Sequence, residues 1–144
     1  RMELHQISAN YAVAPRLDPA DMAVLAADGV TTIICNRPDM ENPPSRQAVQ
    51  LQTAAEAAGL IFIFNPVIGS AMTMENVEEQ SEVLLSSDGP IVAYCASGNR
   101  SAVMWALANA GDMETDQILA ATAAAGYPLE GLRGQIDAMA MQDG

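Results

Sequence analysis

Short apolar runs alternate with stretches of helical period along most of this 144-residue chain. Residues 4–14 read as one or two short strands, closed by Pro15. The tetrad Asp18-Pro19-Ala20-Asp21 predicts a helix start, with Asp18 as cap, Pro19 in the first position and Asp21 reaching back. Gly29 stops that helix. Residues 31–35 (Thr-Thr-Ile-Ile-Cys) form a β-branched run and predict a buried strand. Residues 36–44 hold three prolines and read as an irregular loop. Ser45 is placed to cap a helix that runs to Ala58, with Gly59 as its stop. Residues 60–65 predict a second buried strand, 66–73 a loop, 74–86 a helix and 91–94 a third buried strand. Three helical stretches follow, over 101–110, 115–125 and 129–141, separated by Gly111 and by Gly126-Tyr127-Pro128. Alternating strands and helices predict an α/β fold: a mainly parallel central sheet of four to five strands flanked by helices. In such a sheet ligands bind at the carboxyl ends of the strands. The loops after Cys35, after Asn65 and from Cys95 onward should therefore converge.

Composition narrows the class. Half the residues are apolar, and the length suits one domain over residues 1–144. The formal net charge is −12, and all six basic residues are arginines. That balance argues against nucleic acid, anionic membrane surfaces and large polyanions as partners, while a small anion held by local dipoles remains compatible. There are two cysteines and one histidine, His5. Two cysteines are too few for a disulfide scaffold, and their strand-end positions suit an enzyme of a reducing compartment. No signal peptide or membrane-spanning run is visible, so the expected location is cytoplasmic. Neither a metal nor a cofactor is called for.

The chemistry concentrates in Tyr94-Cys95-Ala96-Ser97-Gly98-Asn99-Arg100-Ser101. A loop between a buried strand and a helix start points backbone N–H groups inward, where the helix dipole favours negative charge. A cysteine at the base of such a cradle is expected to ionise and act as a nucleophile. Arg100 opposes the dipole unless an anion lies between them, which points to anion binding. Ala96, Ser97, Gly98 and Asn99 would supply the N–H donors, and Gly98 the tight turn. Ser101 caps the helix or bonds the Cys95 sulfur.

The motif Cys-x4-Arg-Ser resembles the active loops of cysteine-dependent protein phosphatases and of rhodanese sulfurtransferases. The phosphatases place five residues between cysteine and arginine; this chain has four, the rhodanese spacing. Over nearly its whole length the chain resembles the bacterial family of beta-lactamase-hydrolase-like proteins, phosphatase-like domain. The matching stretches are 21–29, 33–39, Asn65-Pro66-Val67, 94–101, Trp105-Ala106-Leu107 and 118–127. The resemblance implies a dual-specificity-phosphatase-like fold with a rhodanese-length loop. Members occur alone or joined to sulfide-oxidising enzymes, and such an enzyme is the implied partner. Two departures from the phosphatase pattern stand out. Tyr94 sits where those phosphatases carry a histidine, and Gly69 where they carry the aspartate that acts as general acid. Asp39 or Glu41 could substitute for that acid.

An alkoxide leaves slowly without an acid, whereas sulfite or a thiolate leaves readily as an anion. The leading expectation is therefore a sulfurtransferase. Cys95 would take sulfane sulfur from a small anionic donor and pass the persulfide sulfur to a thiol acceptor or cyanide. The alternatives are a phosphatase acting on a phosphate ester through a Cys95 thiophosphate, and a non-enzymatic anion-binding or partner-docking domain. Cys35 reads first as a strand-end core residue. Since the resembling fold sets its strand beside that of Cys95, it is also a candidate to resolve oxidised Cys95 or to accept its persulfide. Arg37 and Asp39 read as an ion pair pinning the proline-rich loop, ahead of a catalytic role. Glu75, Glu78, Glu79 and Glu82 read as a solvated helix face, and Met104 and Trp105 as core behind the cradle. His5 is too isolated to assign.

Overall fold

Side-chain alternation along the strands divides the protein into two cores, one on each face of a sheet. The computed structural model describes residues 2–69 and 71–143; Arg1, Ser70 and Gly144 lie outside them. Five strands are formed: β1 (His5–Ser8), β2 (Tyr11–Ala14), β3 (Thr32–Cys35), β4 (Ile61–Phe64) and β5 (Ile91–Tyr94). Their spatial order is β1-β2-β5-β3-β4, with β1 antiparallel to β2 and every other pairing parallel. Six α-helices accompany them: α1 (Asp21–Ala27), α2 (Ala48–Ala57), α3 (Met74–Ser86), α4 (Asn99–Ala108), α5 (Thr115–Ala124) and α6 (Arg133–Asp143).

Tyr11, Val13, Ile34, Ile91 and Ala93 face one core with α3 to α6. Their neighbours Ala12, Ala14, Ile33, Cys35, Val92 and Tyr94 face the other, with α1 and α2. This period of two, with both faces covered, is why β2, β3 and β5 read as continuous apolar runs. Helix α4 is the centre of the larger core: Ser101 to Leu107 are all buried. It packs against α3, α5 and α6. Met104 and Trp105 lie in that core, as expected, and the four glutamates of α3 are exposed.

Several expected boundaries move, each for a local reason. Asp21 does reach back, its Oδ2 accepting from the Asp18 N–H at 2.8 Å, but Ala20 occupies the cap position and Asp18 does not cap. Asp18 instead pairs with Arg46. Ser45 does not cap α2, because Pro43 and Pro44 lead into a 3-10 turn over Pro44–Arg46. The helix begins at Ala48, whose N–H donates to Asp39 Oδ1 at 2.7 Å. The stretch expected to be irregular thus carries that turn and a second one over Asp39–Glu41. β4 is an edge strand rather than a buried one, with Ile61 59% and Phe64 44% exposed. Helix α4 starts two residues early, since Gly98, at φ +92°, turns the loop directly into it. The last helical stretch opens with a 3-10 turn over Glu130–Leu132 before α6. Among the described residues no helix is long and apolar enough to cross a membrane.

Candidate active site

Strand β5 delivers Cys95 to the carboxyl edge of the sheet, between the ends of β2 and β3. Its N–H donates to Ala14 O at 3.4 Å, and Asn36 N–H donates to Tyr94 O at 2.8 Å, so the pairing continues past the strand ends. Cys95 is fully buried. Gly98 N–H donates to its sulfur at 3.1 Å. Asn99 N–H goes instead to Ser97 Oγ at 3.3 Å, so not all of the expected amides aim at the sulfur. Ala96, Ser97 and Asn99 are exposed, while Gly98 is buried. Tyr127, in the turn after α5, donates its hydroxyl to Ser97 O at 3.1 Å. A Cβ on Gly98 would lie 2.1 Å from that hydroxyl oxygen. His5 meets the Tyr127 ring edge-on at 5.7 Å, which gives it a place in packing behind the loop.

Arg100 gathers the three expected loops. Its Nη1 and Nη2 donate to Glu41 Oε2 and Oε1 at 2.8 and 2.7 Å, a two-pronged ion pair. Nη1 also donates to Val67 O, beyond β4, at 2.8 Å. The Glu41 bonds raise the Arg100 pKa above its ordinary value; partial burial opposes the rise, and the nearby Cys95 sulfur adds to it. The same bonds hold the Glu41 carboxyl below its ordinary value, against partial burial and with help from Arg37. The ion pair that pins the proline-rich loop is thus Arg37 with Glu41, not Arg37 with Asp39. Arg37 Nη2 donates to Glu41 O at 3.0 Å, while its Nε lies 3.5 Å from Oε1, near enough for an ion pair but without a hydrogen bond. Asp39 is committed to the start of α2.

Ser101 neither caps α4 nor bonds the sulfur. Its hydroxyl donates to Asn36 Oδ1 at 2.9 Å, below the loop. Asn36 opens a buried polar network that the sequence reading did not identify. Asn36 Nδ2 donates to Asn65 O and Gln80 Oε1 at 2.9 and 3.0 Å. Asn65 Nδ2 also reaches Gln80 Oε1, at 2.8 Å. Gln80 Nε2 donates to the Tyr11 hydroxyl at 3.0 Å, which in turn donates to Ser101 O at 2.8 Å. The signal was present: Gln80 lies between Val77 and Val83 on the buried stripe of α3, where a polar residue needs buried partners.

Cys35 is turned toward α1 and α2, beside Tyr94. Its thiol donates to Arg37 O at 3.3 Å, and burial pushes its pKa up to about 11. Burial also raises the Tyr94 pKa, and the Tyr94 hydroxyl has no hydrogen-bond partner. Tyr94 therefore fills the smaller core rather than orienting the loop. Among the described residues no group of three or more metal-ligating side chains comes together.

A family model described as "Beta-lactamase hydrolase-like protein, phosphatase-like domain" matches residues 3–112. The chain belongs to that family. Beta-lactamase hydrolase-like proteins from Xylella fastidiosa and Agrobacterium fabrum are 29% and 32% identical to it over 130 and 111 residues. Those alignments cover 89% and 77% of this chain but only 30% and 26% of the relatives. The phosphatase-like domain thus spans less than a third of their length. A crystal structure of a candidate phosphatase from Neisseria meningitidis superposes with a TM-score of 0.81 at 30% identity, covering 96% of this chain and 99% of that one. Kinase associated phosphatase superposes at 0.73 with 12% identity, covering 99% and 94%. The latter likeness shows the fold, which is dual-specificity and tyrosine phosphatase-like. These similarities support the phosphatase alternative ahead of sulfur transfer, which none of these names carries.

Proposed function

We propose that this phosphatase-like domain is a cysteine-dependent phosphoric monoester hydrolase. The Cys95 thiolate attacks phosphorus, the P–O bond to the alcohol breaks, and a Cys95 thiophosphate forms. Water then cleaves the S–P bond and releases inorganic phosphate and a proton. The observation that carries this reading is the pairing of a Gly98 N–H on the Cys95 sulfur with an Arg100 fork closed on a carboxylate. A fork that fits two carboxylate oxygens fits two phosphoryl oxygens as well, so substrate would take the place of Glu41. The Glu41 carboxyl is held ionised by Arg100, which makes it a poor proton donor. Asp39 is tied to the Ala48 amide. Substrates with acidic leaving groups, such as aryl phosphates, are therefore favoured over alkyl phosphates.

Two observations favour a second reading, sulfane sulfur transfer. Four residues, not five, separate Cys95 from Arg100, and the two carboxylates of the neighbouring loop are engaged elsewhere, Glu41 with Arg100 and Asp39 with the Ala48 amide. In that reaction Cys95 attacks the outer sulfur of thiosulfate, sulfite leaves as an anion, and cyanide or a thiolate removes the persulfide sulfur. The sulfide-oxidising partner belongs to this reading alone. One paired assay separates them: release of aryl alcohol from an aryl phosphate, and thiocyanate formation from thiosulfate and cyanide, each repeated with Cys95→Ser. Aryl phosphate turnover lost in Cys95→Ser supports the first reading. Turnover of thiosulfate alone replaces it with the second, and an inert but folded protein leaves the binding-domain alternative.

A further inference from the structure

A cavity of about 330 Å³ opens beside Arg100, and neither reaction above accounts for it. Its walls come from three separate parts of the chain: Val67 and Met72 after β4, Val103 on α4, and Leu132 just before α6. Val67 and Val103 are buried, and Met72 and Leu132 are half-buried at the border of the larger core. The other side chains lining it, Asn99 and Gln135, are neutral, so Arg100 is its single charged residue among those described. The cavity is continuous with the anion site, because the carbonyl of its wall residue Val67 accepts a bond from Arg100 Nη1 at 2.8 Å. It has the size of a small ligand pocket, lined by one charged side chain, two neutral polar ones and four apolar ones.

This combination restricts the ligand. One arginine, in a protein of net charge −12, can neutralise one anionic group and no more. A ligand with a second phosphate would set an unpaired charge against Val67, Met72, Val103 and Leu132. We propose that the site binds small amphipathic molecules: one tetrahedral anionic group at Arg100, bonded to a compact apolar body in the Val67–Met72–Val103–Leu132 cavity. The inference rests on the anion-binding part of the function proposed above and names its substrate class.

Binding to Cys95→Ser protein tests this without requiring turnover. Benzylphosphonate and methylphosphonate present the same anion with and without an apolar body, and neither is hydrolysed. Burying one ring in the cavity is expected to tighten benzylphosphonate binding about tenfold, read by calorimetry or NMR titration. Leu132→Gln and Met72→Gln, from two separate parts of the chain, should each remove most of that preference and leave methylphosphonate affinity unchanged. Equal affinity for the two phosphonates overturns the proposal. So does a preference that survives both substitutions, or no binding of either compound. A preference that behaves as expected, in a protein that hydrolyses no aryl phosphate, would instead reject the phosphatase reading and keep the cavity assignment.

Discussion

At the scale of single residues, the cradle depends on Gly98 more than on any other loop position. It adopts φ +92°, which other residues enter at a cost, and Tyr127 leaves no room for a Cβ. Gly98→Ala should therefore displace the amide now 3.1 Å from the Cys95 sulfur. Loss of about 100-fold in kcat/KM is expected from such a displacement, with the far-ultraviolet circular dichroism unchanged. Tyr127→Phe keeps the packing and loses only the Ser97 bond, so its activity should lie between the two. Glu41 supports a second prediction, whose sign follows from its lowered pKa. A carboxyl with a depressed folded pKa stabilises above its unfolded value, and that contribution disappears as pH falls through the folded one. Thermal stability of wild type over Glu41→Gln should thus be larger at pH 7 than at pH 3. The same variant frees the Arg100 fork, so its KM for an aryl phosphate at pH 7 should fall several-fold. Cys95, Gly98 and Arg100 were legible in the sequence because they sit within six residues of one another. The Arg100–Glu41 pair was not, since it joins positions 59 apart across two loops.

Among elements, α2 and α3 show where pattern reading succeeds and where it stops. The extent of α3 and its solvated glutamate face follow from helical period, and the observed helix matches. What the period could not supply is the partner set of Gln80, which lies on the strand ends at Asn36 and Asn65 and at Tyr11. Gln80→Leu keeps shape and removes those partners, leaving buried amide N–H groups of Asn36 and Asn65 short of an acceptor. A loss of about 3 kcal/mol in chemical denaturation is expected, with kcat reduced because Ser101 and the loop ends share the network. Helix α2 began later than Ser45 because the prolines before it hold the chain in a 3-10 turn, and its cap came from Asp39, nine residues upstream. Asp39→Ala should cost about 1 kcal/mol, typical of a lost helix cap. If capping is its whole role, the ratio of kcat for aryl and alkyl phosphates stays as in wild type. A selective collapse of the alkyl rate would make Asp39 the missing acid.

Across the whole molecule, the sheet sets the two cysteines out of register with each other. β3 and β5 are neighbours, which is what made Cys35 a candidate partner for Cys95, and the register sets Cys35 beside Tyr94 rather than Cys95. Alternation then turns Cys35 and Tyr94 together into the smaller core with α1 and α2, while the Cys95 loop feeds α4 in the larger one. Parallel neighbours were readable from alternating strands and helices; the face each cysteine takes required the register. The consequence is chemical. A resolving thiol must reach the oxidised sulfur and attack as a thiolate. Cys35 is 1% exposed, donates its proton to Arg37 O, and has its pKa pushed up to about 11, so at neutral pH it stays a thiol. Mild peroxide should therefore carry Cys95 to the sulfenic and then the sulfinic acid without forming a Cys35–Cys95 disulfide. Peptide mass spectrometry reads this directly, and Cys35→Ala should oxidise at Cys95 at the wild-type rate. A Cys35–Cys95 disulfide, or faster overoxidation of Cys95 in Cys35→Ala, would show that β3 shifts enough to bring the two sulfurs together. Protection of Cys95 would then have to come from sheet mobility rather than from the cradle itself.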